Sequence, residues 1–534
     1  MTWEAGSAAG VAEESEAVAG AAAPGAWSVN LSAWAFFSLA AVFAVQSALA
    51  TGFFDTDYFW HLETGRWILA EGRLPDGDIF SHSFADAPWA LHEWLAQALL
   101  FLAYDLGGGQ GLLLLVAALC GGALLLVYRI AARLLGSPLV AAAFTLFFSA
   151  GLLNYVSPRP QVFSYLLFAL WLTLIWRARY EGRCRLLLWL PPIMLLWVNL
   201  HGGYVIGLSV ALAYLVLDGA SRIFADENRP EGRYLRYLGM AVLLSTIAVV
   251  LNPDGVERYL YPFEVMSMSA NKLIAEWGSF DFHKLDNKWV LVSFLAYLFL
   301  ASLVPRRLGL SELLVPLITL GAALTSVRHA PYATLVMTAY GALMLSRMPR
   351  FQRWREAERG KAAAGDALLS KLRWAAAPLL LAGLLIMPFN PRYWERMEAI
   401  EPRAMTALIR AEAVSGPLYN AYGIGGYLIH ALGPERPVLI DGRADMFGDA
   451  FVEEVVGATS KGVGWRESLE RWDAQYLVIY SDSVLASLLL MDPVFGLVCE
   501  EAGFALFVRR AGPNGRLALP EEAESPGDGS VHAC

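Results

Sequence analysis

Between residues 110 and 346 the sequence is a succession of apolar runs, each roughly 15 to 22 residues long, broken by short polar stretches. A helix of that length matches the hydrocarbon thickness of a bilayer, and in lipid a helix satisfies every backbone polar group internally. The runs predict spans near 110–129, 138–153, 160–176, 186–200, 202–221, 235–251, 289–304, 309–326 and 331–346. Two more, 31–51 and 374–390, bring the expectation to about eleven transmembrane helices. Composition agrees: 57% of residues are hydrophobic and only 17% charged, too apolar for a soluble chain of 534 residues.

Residues 1–27 carry almost no large apolar side chain and read as a disordered tail. The run 31–51 is too long for a signal-peptide core and lacks a basic flank, so it reads as a retained anchor. Lys and Arg set the orientation, because cytoplasmic loops retain positive charge. With the N-terminus inside, Arg129, Arg133, the groups Arg177–Arg185 and Arg222–Arg236, Arg306, Arg307 and the stretch Arg347–Arg373 all fall inside. The outer loops are poorer in basic residues. An integral membrane protein of the bacterial inner membrane is expected, with a cytoplasmic N-terminus and an extracytoplasmic C-terminal domain. The formal net charge of -9 is spread over loops and a tail, and no nucleic-acid partner is expected.

This topology sorts the ionisable residues. Asp55, Asp57, His61, His82, His92, Glu93, Arg159, His201, Glu276, Arg328 and His329 all fall at or beyond the outer helix ends, as if they shared one outward-facing site. The inside face shows only ordinary basic loops. The first outer loop, 53–93, is the richest segment, with Asp55-Thr56-Asp57-Tyr58-Phe59-Trp60-His61 at its start. Its stretch Tyr58–Leu69 reads as a short helix lying in the interface, with Trp60 and Trp67 at headgroup level. Leu74–Asp78 reads as a turn, and Trp89–Tyr104 as a surface or half-membrane helix ended by Gly107-Gly108-Gly109. Two carboxylates and an imidazole at a membrane exit can hold a divalent cation, a phosphate through that cation, or a proton in transit. They can equally cap the helix that follows. Arg159 and Arg328 can likewise snorkel to headgroups.

Residues 391–510 alternate short apolar runs (437–440, 475–480 and 504–508) with helical stretches at 449–458 and 465–472, which predicts a small α/β domain. Asp441 and Arg443 leave the end of its first predicted strand, where open α/β sheets commonly place ligands; a turn with an Asp-Arg pair is the plainer alternative. Residues 511–534 read as a loose tail. Cys120, Cys184, Cys499 and Cys534 show no CxxC spacing, so neither a disulfide framework nor a zinc site is expected.

The anchor helix, the acidic first outer loop, the many spans and the outer C-terminal domain together resemble the GT-C superfamily of polyprenyl-phosphate-dependent glycosyltransferases. That superfamily includes protein mannosyltransferases and oligosaccharyltransferase catalytic subunits. The stretch Asp55–Asp78 is similar to their first outer loop; Ser157-Pro158-Arg159-Pro160 and Asn199-Leu200-His201-Gly202-Gly203 continue the pattern more weakly. Leu273-Ile274-Ala275-Glu276-Trp277 is similar to the oligosaccharyltransferase TIXE motif without its Thr. Tyr419–Tyr427 is reminiscent of WWDYG, without the Trp pair and the Asp.

The resemblance implies a polytopic α-helical membrane fold over 28–390 and a glycosyltransferase acting on the extracytoplasmic face. Its donor is a sugar on a polyprenyl phosphate, embedded among membrane lipids, and its acceptor a protein, lipid or glycan of the cell envelope. Asp55, Asp57, His61 and Glu276 become catalytic candidates, with Asp55 or Asp57 as general base. Arg159, Arg328, His329 and His201 become candidates for the donor phosphate. His92, Glu93, Tyr422, Asp441 and Arg443 are candidates for acceptor or loop support. Alternatively Asp55 and Asp57 ligate Mg²⁺ or Mn²⁺, as hard oxygen donors do. A transporter or flippase of lipid-linked saccharides and an O-antigen-type ligase or polymerase are the competing classes.

Overall fold

The computed structural model describes residues 57–223, 229–304, 308–357, 400–518 and 533–534. The anchor at 31–51, the tail at 1–27, the span at 374–390 and Asp55 lie outside the described residues. Every predicted span between 110 and 346 coincides with a helix or helix pair, from Trp94–Leu135 to Ala330–Ser346. By length and composition, three described helices are long and apolar enough to cross a membrane: Trp94–Leu135, Gln161–Tyr180 and Tyr204–Ile223. Shorter apolar helices such as Pro138–Phe148 and Leu310–Thr325 accompany them.

The glycine run beginning at Gly107 divides Trp94–Leu135 as its composition suggests. Gly107 and Gly108 leave helical geometry, and Gly108 takes φ 58°, ψ -153°, a region essentially reserved for glycine. The segment before the break packs on helix Tyr58–Glu71 and the segment after it joins the bundle.

Helix Tyr58–Glu71 does not lie open at the interface as its sequence suggests. Tyr58, Phe59, Trp60, His61 and Leu62 are all buried. The polar residues that looked solvent-bound have protein partners: Gln97 Nε2 meets His61 Nδ1 at 3.1 Å, and Glu63 takes Arg66 at 2.6 Å and His430 at 2.8 Å. Helix Gly425–Leu432 covers this element, with Phe59 stacked on His430 and edge-on to Tyr427.

The C-terminal region holds one four-stranded sheet, β1 (Leu418–Asn420), β2 (Tyr476–Tyr480), β3 (Phe495–Glu501) and β4 (Phe504–Arg509), in the order β1-β2-β4-β3. β1 and β2 run parallel; the other pairings are antiparallel. Helices Asp449–Lys461 and Trp465–Arg471 appear where the sequence placed them. The predicted strand at 437–440 does not join the sheet. Its backbone is satisfied elsewhere: Val438 exchanges hydrogen bonds with Phe80 and His82 of the first outer loop, and the Asn420 side chain holds Leu439 N and Ile440 O. Asp441 and Arg443 therefore leave a buried strap between loop and sheet rather than a strand end.

Two further expectations are corrected. Cys499 and Cys534 form a disulfide and Ala533 bridges Glu500, so the chain end is fastened to β3; cysteines 35 residues apart carry no spacing signal. The face opposite the outer loops is also more than basic loops. Arg179 pairs with Asp218 at 3.0 Å, Arg347 with Glu312 at 2.7 Å, and Tyr180 donates to Glu312 at 3.0 Å. With two guanidiniums against two carboxylates this buried cluster is neutral, and it ties four helices together.

Candidate functional site

Arg159 sits at the mouth of the bundle because Pro158 and Pro160 flank it: proline lacks the N–H a helix interior needs, so Gln161 opens the helix. Its guanidinium lies 3.6 Å from Asp57 and 2.9 Å from Glu276. Glu276, on a one-turn helix Ala275–Trp277, also takes Arg328 at 3.0 Å. That turn is fixed from the next outer loop, since Val327 N donates to Gly278 O and Ser326 Oγ to Glu276 O. The result is an alternating chain, Asp57, Arg159, Glu276, Arg328, carrying two negative and two positive charges.

Burial alone would raise the Glu276 carboxyl, but the two guanidiniums outweigh it and hold it down at about 2. Glu276 is therefore a weak base at neutral pH. Asp57 precedes the first turn of helix Tyr58–Glu71 yet makes no side-chain capping bond, so capping is not what this residue supplies. Its carboxylate faces Arg159 and abuts the backbone of Gly442, where a Cβ would overlap its oxygens.

A second cluster lies beside the first. Glu93 faces three imidazoles, with His92 Nε2 and His201 Nε2 each 3.5 Å from Oε1 and His61 Nδ1 3.7 Å from Oε2. His201 is oriented by its neighbours: Ser164 Oγ, which accepts from Trp197 Nε1, and Gly203 N both donate to Nδ1, leaving the Nε2 proton toward Glu93. Tyr261 donates to Asp445 at 2.7 Å and so accepts from His92 Nδ1 at 3.0 Å.

Burial pushes the His61 imidazole well below its ordinary range and His201 down to about 4. His92 is buried too, but the Glu93 charge outweighs that and raises it. Glu93 is held low by His92, His201 and His61 against its own burial. Burial thus favours neutral rings at His61 and His201, whereas the Glu93 carboxylate favours the charged form of His92.

The third group clamps the outer loop to the C-terminal region. Arg443, 1% exposed, takes Asp78 at 2.6 Å and Asp441 at 2.6 Å, and lies over the Trp89 ring at 4.5 Å. Tyr422 donates to Gly442 O at 3.2 Å, on the same strap that meets Asp57. Outer loop 252–284 is pinned similarly, Asp449 accepting from Ser269 N and Ala270 N at 2.8 Å.

No protein-family model matches the chain, and no curated protein matches it in sequence. Solved structures do match. ArnT from Cupriavidus metallidurans in the apo state superposes with a TM-score of 0.51 at 14% identity, over 91% of this chain and 98% of that one. The same protein bound to undecaprenyl phosphate gives 0.50 over the same shares. The archaeal oligosaccharyltransferase AglB from Archaeoglobus fulgidus, in complex with an inhibitory peptide and a dolichol-phosphate, gives 0.51 at 12% identity, over 89% and 74%. The fold is GT-C.

The chain thus has this fold with a small C-terminal sheet, and three of its described helices are long and apolar enough to cross a membrane. On that scaffold the structure gathers Asp57, Arg159, Glu276 and Arg328 into one line, and His61, His92, Glu93 and His201 into another. His329 joins neither; its Nδ1 meets the backbone carbonyl of Ala322 at 3.2 Å. Sequence reasoning passed over Asp78, Gln97, Tyr261 and Asp445 as partners, because each acts across a separation that no local spacing reports.

Of Asp55 and Asp57 only Asp57 is among the described residues, it faces a guanidinium, and no three described His, Cys, Asp or Glu residues converge on a metal-sized space.

Two expected outcomes arise here. Gly442→Ala should leave insertion and thermal stability near wild type, because the new methyl meets the movable end of a side chain, yet it should displace the Asp57 carboxylate and lower turnover. A variant with wild-type turnover shows that this contact has no influence. Acid should also destabilise the cluster. His61 and His201 bind protons less readily folded than unfolded, so stability falls as pH drops from about 6.5 toward 4, with Glu93 adding to the loss below about 4.5. His201 alone contributes roughly 3 kcal/mol of that loss. His92 acts oppositely, contributing stability below about 6.5 that is lost as pH rises through its raised value. Thermal midpoints across this range should decline less steeply in His201→Gln; parallel profiles sink the assignment.

Proposed function

We propose that the chain is a membrane glycosyltransferase that moves a sugar from a polyprenyl-phosphate donor to an acceptor on the extracytoplasmic face. The observation that carries this is the line Asp57, Arg159, Glu276, Arg328, held at the mouth of a GT-C bundle. Solved proteins of this fold bound to undecaprenyl phosphate and dolichol-phosphate support the donor class. The basic bias of the opposite loops supports the orientation, as does the Cys499–Cys534 disulfide, a bond that persists in oxidising compartments. The bacterial inner membrane and a cytoplasmic N-terminus complete this assignment.

In the proposed reaction an acceptor hydroxyl or amide attacks the anomeric carbon. The carbon–oxygen bond to the phosphate breaks, its electron pair leaves with the polyprenyl phosphate, and the acceptor proton passes to Asp57. Arg159 and Arg328 stabilise the leaving phosphate, and the guanidinium fork suits its oxygens. Glu276, too weak a base for the proton, positions both arginines. His61, Glu93, His92 and His201 support the loop that carries Asp57, and Tyr422, Asp441 and Arg443 set the strap behind it.

The test uses purified protein in nanodiscs supplied with a panel of polyprenyl-phosphate sugars and cell-envelope acceptors. Consumption of a donor with release of free polyprenyl phosphate is expected. Binding and transbilayer movement of intact donor without release makes the chain a transporter; coupling of preassembled glycans makes it a ligase or polymerase.

A further inference from the structure

A cavity of about 280 Å³ opens where the first outer helix, the glycine break and the C-terminal region meet. It holds roughly nine waters at ~30 Å³ each, the scale of one sugar ring rather than a lipid tail or a peptide. Half of its lining residues carry rings. Phe59 and His430 stack at 5.0 Å, Tyr427 meets Phe59 edge-on at 5.4 Å, and Tyr104 meets His430 edge-on at 6.2 Å. Tyr58, the residue after Asp57, completes this aromatic lining.

Charge enters from the C-terminal side. Arg403 pairs with Glu401 at 2.8 Å, and both line the cavity. His430 is held in place by Glu63 at 2.8 Å. Rings on one wall and a carboxylate-guanidinium pair on another select a ligand with apolar faces and hydroxyl edges. A prenyl or acyl chain would strip water from the ion pair and return nothing. A phosphate or nucleotide would bring its charge against Glu401. A pyranose offers C–H faces to the rings and hydroxyls to Tyr, His, Glu and Arg.

We propose that this cavity is a saccharide subsite that holds one pyranose of the acceptor beside the reaction centre. The word acceptor rests on the glycosyltransferase reading, whereas saccharide recognition rests on the cavity alone. Tyr58 gives the subsite its use: it lines the cavity and follows the proposed base, Asp57, directly in the chain.

The test is saturation-transfer NMR on the full chain in nanodiscs, with methyl α-mannoside, methyl β-glucoside and methyl β-N-acetylglucosaminide as probes. At least one probe should show ring-proton saturation, weakened roughly tenfold in Tyr104→Ala and in Tyr427→Ala. Tyr104→Phe, which keeps the ring and loses one hydroxyl, should bind more weakly than wild type but more tightly than Tyr104→Ala. Wild-type thermal midpoints in the variants establish that they are folded. Absence of probe binding, binding indifferent to both alanine variants, or displacement of the probe by undecaprenyl phosphate overturns the proposal. Ring-dependent probe binding without donor consumption leaves the saccharide site standing and removes the transferase. Donor consumption without probe binding does the reverse.

Discussion

Asp57→Asn should lower sugar transfer by about 10²- to 10⁴-fold, the usual contribution of a positioned general base. The substitution keeps the shape of the side chain and its place before the first outer helix, so insertion, thermal stability and donor binding should stay close to wild type. No capping bond depends on the carboxylate, which removes the commonest structural reason for such a loss. Turnover is measured as polyprenyl phosphate released per protein in nanodiscs, beside donor binding on the same preparation. Wild-type turnover removes Asp57 from the mechanism. Asp55→Asn belongs in the same experiment: a comparable loss makes the two carboxylates partners, and an unaffected rate leaves Asp57 as the base alone. Glu276→Gln gives a contrasting signature, since it frees two guanidiniums instead of removing a proton acceptor. Its effect should fall on donor phosphate binding first.

The helical bundle was legible in the sequence because membrane-length apolar runs report themselves locally, and the glycine break at Gly107 and Gly108 reported itself equally. Lys and Arg placement likewise puts Arg159, Glu276 and Arg328 on one side from the sequence alone. What stayed hidden depends on long-range contacts. An apolar run such as 437–440 reads as a strand by period and composition, yet its hydrogen bonds go to Phe80, His82 and Asn420. Helix Tyr58–Glu71 read as an interfacial helix because, beyond the local Glu63–Arg66 pair, the partners of its polar residues are remote; Glu93, Gln97 and His430 come from 30 to more than 300 residues away. Asp441 and Arg443 were visible as a pair, and Asp78 was not, since the third member of the clamp comes from the first outer loop.

That clamp gives the largest expected effect on stability. Arg443 is the sole cation between Asp78 and Asp441 in the ion pairs described there, and all three side chains are at most 1% exposed. Arg443→Met should therefore cost about 3–5 kcal/mol, because it leaves buried carboxylates uncompensated rather than merely removing an attraction. Burial pushes the Asp441 carboxyl up even with Arg443 pulling it down, so without the guanidinium its charged form is costlier still. The deficit in Arg443→Met should consequently be greatest at neutral pH and shrink as pH falls and the Asp441 carboxyl takes up a proton. Arg443→Lys should recover only part of it, since one ammonium cannot make the forked contacts to both acids. Adding Asp78→Asn and Asp441→Asn to Arg443→Met should restore much of the lost stability, but not the rate, because the strap carrying Gly442 against Asp57 loses its anchor. Thermal unfolding in detergent at pH 7 and pH 5 reads the stability expectations and the donor-release assay reads the rate. A midpoint in Arg443→Met equal to wild type at pH 7 shows that the outer loop and the C-terminal sheet are held together by something other than this clamp.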